Sequence, residues 1–283
     1  MFDMNEVGRK ISAARKEKNM TQMELADKLN ISFQAVSNWE RGVSMPDISK
    51  LPELAELFGT SVDELLGQSS PLISGIVSEP IDDYLKEHKV TIDEVKQAAP
   101  LLKPDQVDKV FENCEVSEDE FSEIVELLPF LGRDVCNGLF KKYCANGDIG
   151  YAEELAPFAD RAVIDEETEH LMETEEGIGN LAAFMSREAR DRAGAAIYEK
   201  RGIHALDDFL PFISKTLLDQ IADAEYEKNG LRNLDCIAPF MNKQHLNELA
   251  KKAVEKDGIR AISPIAPFLS KDILREYVKE KFL

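Results

Sequence analysis

Phe33, Gln34, Ser37 and Asn38 recur at helical spacing opposite two apolar residues, Val36 and Trp39. At 3.6 residues per turn, Val36 and Trp39 share one face, while the other four, joined by Arg41, share the opposite one. A carboxamide donates and accepts at once, so Gln34 or Asn38 can meet the N6 donor and N7 acceptor of adenine together. Phe33 can press on a thymine methyl, each contact being worth about 1–3 kcal/mol of discrimination. Ser37 can reach a phosphate or a base edge, or stay solvated. Arg41, at the helix end, suits a phosphate or solvent better than a base. A short helix with this outer face and a buried Trp suits the DNA major groove.

The flanking residues explain how such a helix would be held. Thr21 with Glu24 forms a capping box. Leu25, Ala26 and Leu29 give the first helix of a pair its apolar face. Asn30 suits a left-handed turn, Ile31 fills the corner, and Ser32 caps the second helix. Upstream, Val7, Ile11 and Ala14 recur at helical spacing among Arg9, Lys10, Arg15, Lys16 and Lys18. Downstream, a turn over Gly42–Pro46 precedes a helix carrying Leu51, Leu54, Ala55, Leu57 and Phe58. A last helix is capped by Ser61 with Glu64 and stops at Gly67. Five short helices thus predict a small all-α domain over residues 1–67, and Gln68-Ser69-Ser70-Pro71 opens a linker expected over 68–79.

These residues resemble the Cro/phage-repressor (XRE-type) helix-turn-helix family over residues 5–67. The resemblance rests on Thr21-Gln22, Leu25-Ala26, Ile31, Ser32, Val36-Ser37, Trp39-Glu40 and Gly42. It implies a five-helix, lambda-repressor-like domain that binds double-stranded operator DNA. It further implies that Gln22 and Ser32 touch phosphates, that Phe33, Gln34 and Asn38 face bases, and that backbone amides near Val43 and Ser44 clamp the second phosphate strand. Arg15 and Glu40 match a pair that forms a structural salt bridge in that family. Pro52 departs from the pattern; tolerated only in a first helical turn, it sets the start of the fourth helix near Ser49.

The rest of the chain is a repeat. Ala99-Pro100-Leu101-Leu102 recurs as Leu128-Pro129-Phe130-Leu131, Ala156-Pro157-Phe158-Ala159, Ala182-Ala183-Phe184-Met185, Leu210-Pro211-Phe212-Ile213, Ala238-Pro239-Phe240-Met241 and Ala266-Pro267-Phe268-Leu269. Successive copies are offset by 29, 28, 26, 28, 28 and 28 residues, a regularity that marks an array. After each signature comes a helix-cap candidate: Gly132, Asp160, Ser186, Ser214, Asn242 or Ser270. Apolar pairs such as Ile213 with Leu218, Met241 with Leu246 and Leu269 with Leu274 read as hydrophobic staples. Gly177, Gly202, Gly230 and Gly258 then end a helix of about 15 residues. A shorter second helix follows, for example Leu231 to Ala238, and Thr91 with Glu94 and Ser117 with Glu120 cap its equivalents earlier in the chain. One such hairpin cannot bury its apolar face alone. Residues 80–283 are therefore expected to form an α-solenoid of about seven 28-residue hairpins, in an all-α protein.

Charge divides along the same line. The chain carries a net charge of −20, of which residues 1–68, with 8 basic and 11 acidic side chains, hold −3. The array is thus an acidic surface and a poor match for phosphate chains, whose affinity rests on Lys and Arg. Asp165-Glu166-Glu167 and Glu173-Thr174-Glu175-Glu176 lack the alternating oxygen spacing of a calcium loop and read as solvated helix surface. Cys114, Cys136, Cys144 and Cys236 make no CxxC pair and read as reduced, small core residues. His88, His170, His204 and His245 are scattered, and neither a nucleophile pattern nor a glycine-rich phosphate loop is present. No enzyme, cofactor or metal is expected. No run of some 18 apolar residues exists, and the first residues lack a signal peptide's apolar core, so a soluble cytoplasmic protein without a membrane partner is expected.

The leading expectation is a sequence-specific transcriptional regulator, dimeric on a two-fold operator, whose array pairs subunits or receives a peptide or protein effector. In architecture this resembles peptide-pheromone receptors, which also join such a domain to helical repeats. The alternative is an interaction scaffold or antitoxin-like protein, in which the solenoid binds a protein partner and DNA contact is autoregulatory.

Overall fold

The computed structural model describes residues 4–67, 70–117, 120–172 and 178–280, with side chains to 275. The expected helix stop at Gly177, the acidic run 173–176 and the first two linker residues, Gln68 and Ser69, lie outside the described residues. The described residues hold helices and turns, with a single isolated parallel bridge between Val90 and Cys114. The protein is all-α, and its backbone contacts divide it into two compact units, 1–138 and 139–283.

The first unit begins with the five expected helices: α1 (Met4–Glu17), α2 (Gln22–Leu29), α3 (Phe33–Glu40), α4 (Leu51–Phe58) and α5 (Val62–Leu66). A 3-10 turn at Ile48–Lys50, capped by Asp47, leads into α4, so Pro52 falls in the first turn, where its missing N–H costs nothing. Val7, Ile11, Leu25, Leu29, Val36, Leu51, Leu54 and Phe58 make the core.

The span expected as a linker instead carries α6 (Pro71–Ser78), which packs against both the 48–50 turn and a later helix, α8. The Ser-Pro signal marks the start of this helix, with Pro71 in its first turn, and Leu72 and Ile73 are fully buried. Helices α7 (Ile81–Glu87), α8 (Ile92–Ala98), α9 (Pro104–Asn113) and α10 (Phe121–Leu127) follow, and α11 (Arg133–Asn146) runs across the division at 138/139. The first array helices therefore belong to the same compact unit as the N-terminal five. Thr91 and Glu94 form the expected capping box, whereas the Ser117 hydroxyl and amide both donate to the Glu120 carboxylate.

The second unit contains α12 (Ile149–Leu155), α13 (Arg161–Leu171), α14 (Ile178–Leu181), α15 (Arg187–Arg201), α16 (Lys215–Asn229), α17 (Lys243–Asp257) and α18 (Lys271–Glu280). The long helices α15, α16 and α17 have 15 residues each. Gly202, Gly230 and Gly258 follow them at φ of +82°, +65° and +79°, a region that favours glycine. The side chains of Ser186, Ser214 and Asn242 cap these helices; Asp160 occupies the equivalent place before α13 without a side-chain cap bond.

The shorter second helix varies along the array. It is a 7-residue α-helix in α12, a 3-10 turn at 203–206 and again at 259–262, and a run of turns over the span expected as helix from Leu231 to Ala238. Ile203, Leu206 and Phe209, then Leu231, Leu234 and Ile237, are buried at three-residue intervals. At the same interval α8 buries Ile92, Val95 and Ala98 and α10 buries Phe121, Ile124 and Leu127, so the buried positions are kept while the backbone path between them changes.

A contact made by residues outside the repeated signature ties the repeats together. At the fifth residue of α9, α13, α15, α16 and α17 stands an Asp or Asn whose Oδ1 accepts the backbone N–H of the next repeat's cap residue. Gly132 donates to Asp108 at 2.7 Å, Ser186 to Asp165 at 2.8 Å and Ser214 to Asp191 at 2.8 Å. Asn242 donates to Asp219 and Ser270 to Asn247, both at 3.2 Å. Each rung satisfies an amide at a helix start that its own helix cannot bond. Only an acceptor is needed, which is why Asn serves as well as Asp. Asp191→Leu is therefore expected to destabilise the chain by about 1–2 kcal/mol in urea unfolding and to speed hydrogen exchange of the Ser214 amide, while Asp191→Asn changes both little.

Candidate nucleic-acid interface

Helix α3 is held by caps at both ends. Its start is fixed by Ser32, whose Oγ accepts the Ala35 N–H at 3.1 Å; the preceding turn is closed by Asn30 at φ +52° and by the Ile31 N–H donating to Ala26 O. Ile31 is half-buried in that corner. At the other end Gly42, at φ +66°, donates to Trp39 O at 3.0 Å and Val43 donates to Asn38 O at 2.9 Å. Those two bonds form a Schellman closure. The Val43 amide, in the turn where the resemblance implies a phosphate clamp, donates to Asn38 O, and its side chain is exposed and apolar. Ser44 follows, half-buried, on the same turn.

The inner face of α3 packs on α1 through Val36 and Trp39. The helices approach so closely that a Cβ at Gly8 would lie 2.3 Å from Trp39 O. Beneath the helix, the Glu40 carboxylate gathers donors from two other helices. Arg15 Nε donates to Oε1 at 2.5 Å. Arg15 Nη2, Gln22 Nε2 and Ser12 Oγ donate to Oε2 at 3.1, 2.8 and 3.0 Å. Arg15 also donates through Nη1 to Met20 O, and the pair is almost shielded from solvent, at 10% and 6% side-chain exposure. Burial alone would push the Glu40 carboxyl up, but the bonds from Arg15, Gln22 and Ser12 outweigh it and hold the group below the usual carboxylate range. The Arg15 guanidinium is raised, chiefly by its bond to Glu40. Gln22 is thus placed in this cluster as well as at the start of α2: one amide hydrogen goes to Glu40, and the second remains on the same nitrogen.

The outer face is where the sequence places it. Phe33 is 44% exposed, Gln34 and Arg41 are exposed, and Ser37 and Asn38 are half-buried. These groups are ordered among themselves. Asn38 Oδ1 accepts Gln34 Nε2 at 3.0 Å and Arg41 Nη2 at 2.7 Å, while Arg41 Nε donates to Ser37 O at 3.2 Å. Both lone pairs of the Asn38 carbonyl are occupied, so Asn38 offers only N–H donors outward. Gln34 keeps its own Oε1 and one N–H. The two amides thus present different groups outward. This network follows from i, i+3 and i, i+4 spacing, a signal present in the sequence.

Comparison with known proteins agrees with this geometry. The helix-turn-helix family (HTH_3) matches residues 11–65. The HTH-type transcriptional regulator ImmR of Bacillus subtilis is 34% identical over 86 residues, 29% of this chain and 68% of ImmR. The chain belongs to the helix-turn-helix family. The HTH-type transcriptional activator BcrR of Enterococcus faecalis is 38% identical over 22% of this chain and 30% of its own length. The immunity repressor of Bacillus phage phi105 is 36% identical over 23% and 44%. The chain thus spans less than half of these two relatives. The structure of ComR from Streptococcus suis aligns over 99% of this chain and 96% of its own at 11% identity, but with a TM-score of 0.22 that alignment carries no argument.

Away from the helix-turn-helix, the thiols are poor nucleophiles. Burial pushes Cys144 up to about 12 and Cys114 up to about 11, and it also raises Cys136 and Cys236. No group of three or more His, Cys, Asp or Glu among the described residues could hold a metal ion, and no described helix is long and apolar enough to cross a membrane.

Glu40 sets a pH dependence. A carboxylate whose folded pKa lies below its unfolded value, near 4.3, contributes stability above that value and loses it as pH falls through the folded pKa. Glu40→Gln is therefore expected to flatten the acid limb of the urea-unfolding profile below about pH 4.3 relative to wild type. Glu40→Ala, which strands the Arg15 charge, is expected to cost about 3 kcal/mol at pH 7.

Proposed function

We propose that the protein is a sequence-specific DNA-binding transcriptional regulator that inserts α3 into the major groove. The observation that carries this reading is the ordered Gln34–Asn38–Arg41 network on the exposed face of a helix locked from behind by Glu40. Gln34 accepts from adenine N6 through Oε1 and donates to N7 through its remaining N–H. Asn38 donates to an acceptor edge, such as guanine O6 or thymine O4, and Phe33 covers a thymine methyl. Ser32, Gln22 through its second amide hydrogen, Ser44 and Arg41 contact phosphates. Ser37 lies between these groups, at the edge of the base-facing surface.

One such domain covers only half an operator, and residues 1–68 carry a net charge of −3, so a single copy would hold DNA weakly at physiological salt. A homodimer on two half-sites one helical turn apart supplies the missing affinity through effective concentration. The acidic array gives the dimer its pairing surface or receives a peptide or protein effector. A cytoplasmic site of action accords with this role.

The test is selection of binding sites from a random DNA pool by the full-length chain. The expected product is a two-fold sequence with half-site centres about 10–10.5 base pairs apart. Gln34→Ala should relax preference at one position per half-site by about 1–3 kcal/mol, whereas Ser32→Ala should weaken all sites alike. Absence of any enriched sequence, or enrichment unchanged in the Gln34→Ala, Asn38→Ala double variant, would overturn the base-reading assignment.

A further inference from the structure

Along the second unit, each turn into a long helix repeats the same two surface features. Two residues before the cap comes a phenylalanine: Phe158, Phe184, Phe212, Phe240 and Phe268. The residue immediately before each cap, such as Met185, Ile213 or Met241, goes into the core, yet the phenylalanines stay partly in water, Phe240 at 36% exposure. The first residue of each following helix is a cation: Arg161, Arg187, Lys215, Lys243 and Lys271. All five cations are exposed, and none has an ion-pair partner among the described residues.

Helix stability does not explain this row. A cation in the first turn opposes the helix dipole, which favours Asp and Glu there. Solubility does not explain it either, since the chain already carries −20 and each added cation moves it towards neutrality. The inter-repeat rungs fix successive helix starts side by side, so equivalent residues line up along one edge of the unit. With helix axes roughly 8–10 Å apart, the five helix starts, joined by four rungs, extend some 30–40 Å.

We propose that this aromatic and basic edge is a docking surface for an acidic, aliphatic-bearing peptide segment of a partner protein. Charge complementarity selects the partner: five exposed cations, with no ion-pair partner among the described residues, stand in one row. The phenylalanines between them select against a bare phosphate chain, which has no apolar groups to cover them. A helical segment advances about 10.5 Å in seven residues, so one acidic and one aliphatic side chain per seven residues match the rungs. The proposal deepens the reading of the array as the effector-receiving part and is independent of how α3 reads DNA.

The experiment pans a phage-displayed library of random 20-residue peptides against the full-length chain. Selected peptides are then measured by fluorescence anisotropy against wild type, Lys215→Glu/Lys243→Glu and Phe240→Ala, each variant checked by circular dichroism and thermal unfolding. Peptides rich in Asp, Glu and Leu are expected. Their affinity should fall at least tenfold in the charge-reversed variant and severalfold in Phe240→Ala, and should weaken with salt. Absence of enriched peptides overturns both this surface and the effector-receiving array. Enriched peptides whose binding survives both variants overturn the surface alone. Two further results would also overturn it. One is a self-association, measured by sedimentation, that charge reversal abolishes, which assigns the edge to a second copy. The other is binding of a 20-base-pair duplex that charge reversal weakens and Gln34→Ala does not, which assigns it to DNA.

Discussion

The Glu40 carboxylate is the point on which the presentation of α3 depends. It lies at the end of the helix that faces outward, yet its partners, Ser12, Arg15 and Gln22, come from α1 and α2. A carboxylate this shielded would be costly without compensation, and here its two oxygens accept four bonds from three side chains. The consequence is geometric. A helix of eight residues has little stability of its own, so the direction of its outer face is set by this anchor, by Trp39 and by the close crossing at Gly8. Gln34 and Asn38 can then be ordered before any ligand arrives, which lowers the entropy lost on binding.

The array solves a different problem with the same means. Every helix start leaves amides unbonded, and a stack of short hairpins multiplies such ends. The Asp or Asn five residues into each long helix meets the next helix's first free amide, so polar satisfaction and repeat stacking are achieved by one contact. This frees the connecting segments from regular hydrogen bonding. In the later repeats they become 3-10 turns or a run of turns, while Leu231, Leu234 and Ile237 remain fully buried. The edge that carries the cations and phenylalanines is the same edge that these rungs align.

Much of this was legible in the residues. The caps at Thr21, Ser32, Ser61 and Thr91 follow from hydroxyls placed three residues before an amide they can meet, a strictly local relation. The left-handed Asn30, the stops at Gly67, Gly202, Gly230 and Gly258 and the first-turn place of Pro52 are also local, and these are found. The readings that changed depend on what lies beyond the near neighbours. Ser70-Pro71 looks like punctuation until Leu72 and Ile73 find a core to enter. Leu231 to Ala238 looks helical, as its equivalent α8 is, yet it forms a run of turns with the same residues buried.

The sequence by itself determined the class of fold, the repeat, and which residues of α3 are outward, because periodicity and capping act over three or four residues. Only the tertiary structure decided which of those groups remain able to act. Whether Asn38 can accept a bond, whether Gln22 has one free hydrogen or two, and whether the cations of the array stand on one edge all depend on partners that packing brings near. A hydrogen-bonding group has a fixed number of sites, and a sequence states how many it has but not how many the fold has already used.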